Sequence, residues 1–75
     1  MIFEPKTNPA YPDMPMWTSR RGDHGFVITE DNKLYQASSR RLYTTEPHPV
    51  EGQMIDLGEH QSLQEAIEAC TNWRP

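Results

Sequence analysis

Residues 62–74 read SLQEAIEACTNWR, and this stretch decides the fold class of the chain. Ser62 is a favoured helix N-cap, and Glu65 stands three residues later, which completes a capping-box pattern. Arg74 lies where a positive charge suits the carboxyl end of a helix. The apolar residues recur at helical spacing and predict one buried stripe, formed by Leu63, Ala66, Ile67, Cys70 and Trp73.

A lone helix of about 12 residues is marginal in water, so this one needs a surface to pack on. Aromatic and β-branched residues at 26–29 (FVIT) predict a strand, and 33–38 (KLYQAS) predicts its hairpin partner across a polar turn. Shorter segments at 16–20, 41–45 and 53–57 also suit strands. We therefore predict an α+β domain, with three to four antiparallel strands and one C-terminal helix on one face.

The first 15 residues differ from the rest of the chain because they hold four of its seven prolines. Proline has no amide proton and a fixed φ, so neither a helix nor a central strand fits there. We predict an extended Pro-rich arm over residues 1–15, followed by a single domain over residues 16–75. The arm packs across this domain or across a second copy, and a homodimer is therefore left open.

The size of the chain argues against an enzyme. With 75 residues it forms at most one domain, and so small a domain has a thin margin of stability. Few apolar side chains are spare for lining a deep substrate pocket. The sequence has no nucleophile elbow and no cysteine-protease signature. We predict a non-catalytic protein that needs no cofactor.

A metal site is not expected either. The candidate ligands His24, His48, His60 and Cys70 are separated by 24, 12 and 10 residues. Zinc ligands usually come in pairs about two to four residues apart. Cys70 also falls on the apolar stripe of the helix, where a free cysteine acts as a small hydrophobe.

A cytoplasmic location is expected from the cysteine content. Small secreted domains usually depend on several disulfides, and a chain with one cysteine has no internal bridge. No apolar run approaches the roughly 20 residues that span a bilayer, so we expect no membrane partner.

Charge is unevenly distributed along the chain. The net charge of −4 is carried entirely by residues 51–75, while residues 1–50 sum to zero. An acidic end weakens the case for binding to a phosphate backbone. Glu65 and Glu68 on the outer helix face either solvate that face or dock a basic protein partner.

Two sets of residues are candidates for a binding surface. The first set suits a protein partner, because Tyr, Trp and Met are enriched at interfaces; it comprises Tyr11, Met14, Met16 and Trp17, with Glu65 and Glu68. The second set suits nucleic acid, because basic doublets and aromatic rings bind phosphates and bases; it comprises Arg20, Arg21, Lys33, Arg40, Arg41 and Tyr43. Two other interpretations of these arginines are that they solvate strand ends and protect a sheet edge from aggregation, or that they bind an acidic protein surface.

The leading hypothesis is a small non-catalytic protein-binding module, of inhibitor or adaptor type, that acts through surface complementarity. The alternative is a nucleic-acid-binding protein that uses the two arginine doublets. No motif in the chain indicates a family, and domains of this size without one are common among phage and mobile-element proteins.

Overall fold

The computed structural model describes residues 1–43 and 50–75, except for the side chains of Val50 and Glu51. In chain order, the elements are β1 (Glu4–Thr7), β2 (Pro15–Arg21), β3 (His24–Asp31), β4 (Leu34–Tyr43), β5 (Val50–Glu51), β6 (Ile55–His60) and α1 (Leu63–Asn72). The predicted class, α+β with one C-terminal helix, is confirmed. The predicted number of strands is wrong, because the described residues form a sheet of six strands, one of which has only two residues.

Strand order follows the chain from β1 to β4, and β5 and β6 both pair with the far edge of β4. Every pairing is antiparallel. The segments predicted as separate strands at 33–38 and 41–45 are largely one strand, because no glycine or proline interrupts residues 34–43. Thr44, Thr45 and the break predicted at 46–49 lie outside the described residues.

The two central hairpins have tighter turns than the sequence suggested. Gly22 turns the chain between β2 and β3 with φ +62°, so His24 and Gly25 are already in β3. Asn32 and Lys33 both have positive φ, 52° and 63°, which is the geometry of a type I′ turn. The polar residues Glu30 and Asp31 therefore extend β3 instead of ending it.

The predicted extended arm over residues 1–15 is not confirmed, because four of its residues form a strand of the sheet. Residues 4–7 form β1, which pairs with β2 and places Pro5 opposite Trp17. Proline is tolerated there because β1 is an edge strand, where one amide faces away from the ladder. The loop that follows is held by Asn8, whose Oδ1 accepts hydrogen bonds from the amides of Ala10 (3.0 Å) and Tyr11 (3.1 Å).

The last strand begins later than predicted and is bulged. It runs over Ile55–His60 instead of 53–57, and it has one more residue than β4 between its partners Asp56 and Glu59. Gly58 lies in this bulge with φ +91°, a conformation that disfavours side chains. The Asp56 carboxylate accepts the amide of Gly58 at 2.7 Å and holds the bulge closed.

The helix packs on one face of β3, β4 and β6. Its predicted start is confirmed, since the Ser62 hydroxyl accepts the amide of Glu65 at 3.1 Å. The buried apolar core between helix and sheet consists of Phe26, Ile28, Ala37, Ala66 and Cys70. Partly buried side chains surround it, namely Phe3, Trp17, Tyr35, Leu57, Leu63, Ile67 and Trp73.

Candidate functional site: the open face of the sheet

The sheet has two faces, and in the described part of the chain the helix covers only one of them. We call the opposite side the open face. Because side chains alternate along a strand, it is formed by the residues between those of the core. These are Met16, Thr18 and Arg20 in β2, Gly25, Val27 and Thr29 in β3, and Gln36, Ser38, Arg40 and Leu42 in β4.

A shallow groove of about 500 Å³ runs over the centre of the open face. Its floor is made of small or β-branched side chains, and methionines border it. Its lining consists of Asn8, Pro9, Met16, Thr18, Val27, Thr29, Gln36, Ser38, Arg40 and Met54. Met54 is 52% exposed, which gives the rim a flexible apolar side chain that adapts to different partners.

Two arginines stand at one end of this face. Arg20 and Arg40 are both register partners of Gly25, one from each neighbouring strand. Since strands are about 4.8 Å apart, the two arginine Cα atoms are separated by about 10 Å. Gly25 has no side chain between them, and a Cβ built there would lie 3.3 Å from Leu42 Cδ1.

A small cavity of about 190 Å³ opens beside this arginine pair. Thr18, Val27, Arg40 and Leu42 contribute to its walls. Because the cavity has aliphatic walls and one guanidinium, it would fit a side chain of another molecule that has an apolar stem and a carboxylate at its end.

The residues predicted to bind a protein do not form one site. Met16 lies on the open face, but its neighbour Trp17 points to the core, where its ring centroid is 6.0 Å from that of Tyr35. Tyr11 is 65% exposed and lines a separate cavity of about 410 Å³ with Met14 and the β3–β4 turn. A single strand cannot present Met16 and Trp17 together, because consecutive side chains point to opposite faces.

Glu65 and Glu68 are exposed on the helix, on the other side of the sheet from the groove. Glu68 accepts a hydrogen bond from Gln64 at 3.3 Å. Their placement is that of a solvated helix face, and they do not extend the surface around Met16.

The residues predicted to bind nucleic acid are also divided. Each doublet splits across the sheet, so that Arg20 and Arg40 reach the open face while Arg21 and Arg41 lie on the other face. Arg41 is paired with Asp23 at 3.2 Å and lies over the ring of Tyr43 at 5.2 Å. Lys33 sits in the β3–β4 turn, at the opposite end of the sheet from all four arginines.

None of the described residues that line the groove is aromatic. The rings of Trp17, Phe26 and Tyr35 belong to the core or pack against it. Stacking on aromatic rings is the usual way in which a sheet holds single-stranded nucleic acid. The described part of the groove therefore lacks the stacking surface that base recognition uses.

The described residues contain no group of three side chains that could hold a metal ion. Cys70 is fully buried in the core, and this burial raises the pKa of its thiol to about 11, although Arg21 acts in the opposite direction. A thiol of that kind is protonated at neutral pH and is a poor nucleophile. No helix in the described part of the chain is long and apolar enough to cross a membrane.

Comparison with known proteins gives no relative. The chain matches no protein-family model, no curated protein and no solved structure.

Several open-face residues were missed from the sequence, among them Thr18, Val27, Ser38 and Leu42. Their types are ordinary for a strand, and only the register of β2, β3 and β4 brings them together. Alternation with the buried Phe26 and Ile28 was the signal that could have found Val27.

Proposed function

We propose that this protein is a non-catalytic protein-binding module and that the open face of its sheet is the binding surface. The observation that carries the proposal is a sheet face that no helix of the described residues covers, on which methionines and aliphatic side chains adjoin Arg20 and Arg40. Methionine and arginine are both enriched at protein interfaces. The single cysteine supports a cytoplasmic role for the module.

The partner that fits this surface presents an apolar segment flanked by acidic side chains. Arg20 and Arg40, whose Cα atoms are about 10 Å apart, would each bind one carboxylate of the partner, because arginine forms planar, bidentate pairs with carboxylates. The cavity between Val27, Leu42 and Arg40 would take one of these side chains. An inhibitor or adaptor would act in this way by occupying an acidic surface of its target.

Nucleic-acid binding is the alternative function. The same Arg20–Arg40 pair supports it, since phosphates are also ligands for guanidiniums. Two observations weigh against it: the described residues of the groove lining include no aromatic ring, and the net charge is −4. A second copy of the chain is a further occupant that the same experiment detects.

The test is affinity capture from a nuclease-treated lysate of the source cells with two matched variants. Thr29→Arg places a long charged side chain in the groove, whereas Gln64→Arg places the same side chain on the exposed helix face. We expect the wild type and Gln64→Arg to retain the same protein partner and Thr29→Arg to lose it. Circular dichroism checks that both variants are folded.

Three results would contradict the proposal. Retention of the partner by Thr29→Arg would remove the open face from the interface. A capture that disappears with nuclease would favour the nucleic-acid alternative. Recovery of only the chain itself would make the open face a contact between copies.

A further inference from the structure

A second site lies next to the residues that precede β1, in a pocket whose lining includes three arginines. This pocket, which we call the arginine pocket, has a volume of about 590 Å³. Its lining consists of Met1, Ile2, Ser19, Arg20, Arg21, Thr71 and Arg74. Three of the seven basic residues of the chain are therefore gathered in one place.

The fold explains how these side chains meet. Arg20 and Arg21 are consecutive in β2, so their side chains point to opposite faces of the sheet. Both follow the residues of β2 that pair with β1, so this part of β2 is an edge of the sheet. The end of the helix brings Arg74 to the same edge. Arg21 donates to the carbonyls of Thr71 and Trp73, and Arg74 Nη1 donates to the same two carbonyls at 2.8 Å.

Capping of the helix does not account for all three arginines. Arg21 alone already reaches both carbonyls, so Arg74 duplicates its hydrogen bonds. Arg20 donates through Nε to the carbonyl of Gly22 at 2.9 Å, which is in the turn and not in the helix. Each guanidinium has five N–H donors, and these bonds use only one or two on each.

The arginine pocket has an excess of positive charge. Among the described residues, no carboxylate lies within ion-pair distance of Arg20, Arg21 or Arg74, although the chain has eleven acidic residues. By contrast, Lys6 pairs with Glu4 and Arg41 pairs with Asp23. The carboxyl end of the helix contributes only about −0.5 of a charge, which the three guanidiniums outweigh.

We propose that the arginine pocket binds the phosphate group of a small organic phosphate. A phosphate dianion matches the excess charge better than a carboxylate, and its oxygens accept bidentate hydrogen bonds from guanidiniums. The side chains of Met1 and Ile2 line the same pocket, and Ile2 is 84% exposed. They give the organic part of the ligand an apolar surface.

This site does not depend on the proposed function. Arg20 belongs to both surfaces, but Arg74 and Ile2 lie away from the groove of the open face. A variant at Arg74 therefore separates the two.

The experiment is an NMR titration of the ¹⁵N-labelled protein with phenyl phosphate at constant ionic strength. We expect saturable shifts at residues 19–21 and 71–74. Benzoate, which has the same ring and a carboxylate, should bind about tenfold more weakly, because it carries less charge and fewer acceptors. Inorganic phosphate should also bind more weakly than phenyl phosphate, since it lacks the apolar group that contacts Met1 and Ile2.

Two variants test the residues. Arg20→Gln and Arg74→Gln should each weaken phenyl phosphate binding about tenfold, since each removes a charge-assisted hydrogen bond. Both side chains are exposed, so the variants should remain folded. Lys6→Gln removes a positive charge outside the pocket and should leave the affinity unchanged.

Shifts that do not saturate, or that sodium chloride reproduces, would overturn the proposal. Wild-type affinity in both arginine variants would overturn it as well. If a single-stranded oligonucleotide binds while phenyl phosphate does not, the arginines belong to a nucleic-acid surface. Loss of phosphate binding in Arg74→Gln with unchanged partner capture would show that the two sites are separate.

Discussion

The two faces of the sheet are built from the same strands but differ in what covers them. On the helix face, Phe26 and Ile28 are fully buried beneath Ala66 and Cys70. On the open face, Val27 and Thr29 alternate with them along the same strand and line a groove. Alternate residues of β3 therefore pack in the core or face the groove. Among the described residues, every buried apolar side chain lies between the helix and this face of the sheet.

Truncation of neighbouring residues in β3 should show the largest difference between the faces. Phe26→Ala should cost about 3–5 kcal/mol of unfolding free energy, because it leaves a cavity in the core. That loss approaches the whole stability of a small domain. Val27→Ala removes a half-buried side chain and should cost about 1 kcal/mol. Urea denaturation followed by circular dichroism measures both, and equal losses would mean that the open face is also core.

The arginine doublet at the end of β2 offers a second comparison. Arg21 ties the sheet to the helix through two carbonyls and lies 5.2 Å from the centroid of the Phe26 ring. Arg21→Gln should therefore cost about 2 kcal/mol. Arg20 is exposed, and Arg20→Gln should change stability by less than about 0.5 kcal/mol. If Arg20→Gln were the more damaging variant, the assignment of the doublet to two faces would be wrong.

A smaller effect concerns pH and the core cysteine. Burial raises the pKa of Cys70 from 9.0 to about 11, so the folded state holds its proton more tightly than the unfolded chain does. This contribution to stability is complete below pH 9.0 and is lost as the pH rises towards about 11. Unfolding free energies measured from pH 8 to pH 10.5 should fall more steeply in the wild type than in Cys70→Ala. Parallel curves would show that the thiol is not buried.

The sequence predicted correctly those features whose pattern lies within a few consecutive residues. The N-cap at Ser62 and the apolar stripe through Cys70 are contained within one helix, and both were predicted correctly. The strand at Pro5 was missed because proline is excluded from central strands but tolerated at an edge, and only the fold shows which strand is an edge.

The binding surfaces were harder to predict than the core, for a physical reason. Neighbours in sequence, such as Met16 and Trp17 or Arg20 and Arg21, were grouped together, yet strand alternation sends them to opposite faces. The groove depends instead on register among three strands, which the sequence left open. The arginine pocket combines β2 with Arg74 across more than 50 residues, and no local pattern joins them.

The central claim is that the open face, and not the helix face, receives a partner. Its most direct test is the rate of thiol alkylation of Thr29→Cys and Gln64→Cys in the presence and absence of the captured partner. Both variants contain Cys70, which is buried with a pKa of about 11 and should remain unlabelled in the folded protein. The account predicts that the partner slows alkylation at position 29 and leaves position 64 unchanged. Protection of position 64 with free labelling at position 29 would contradict it.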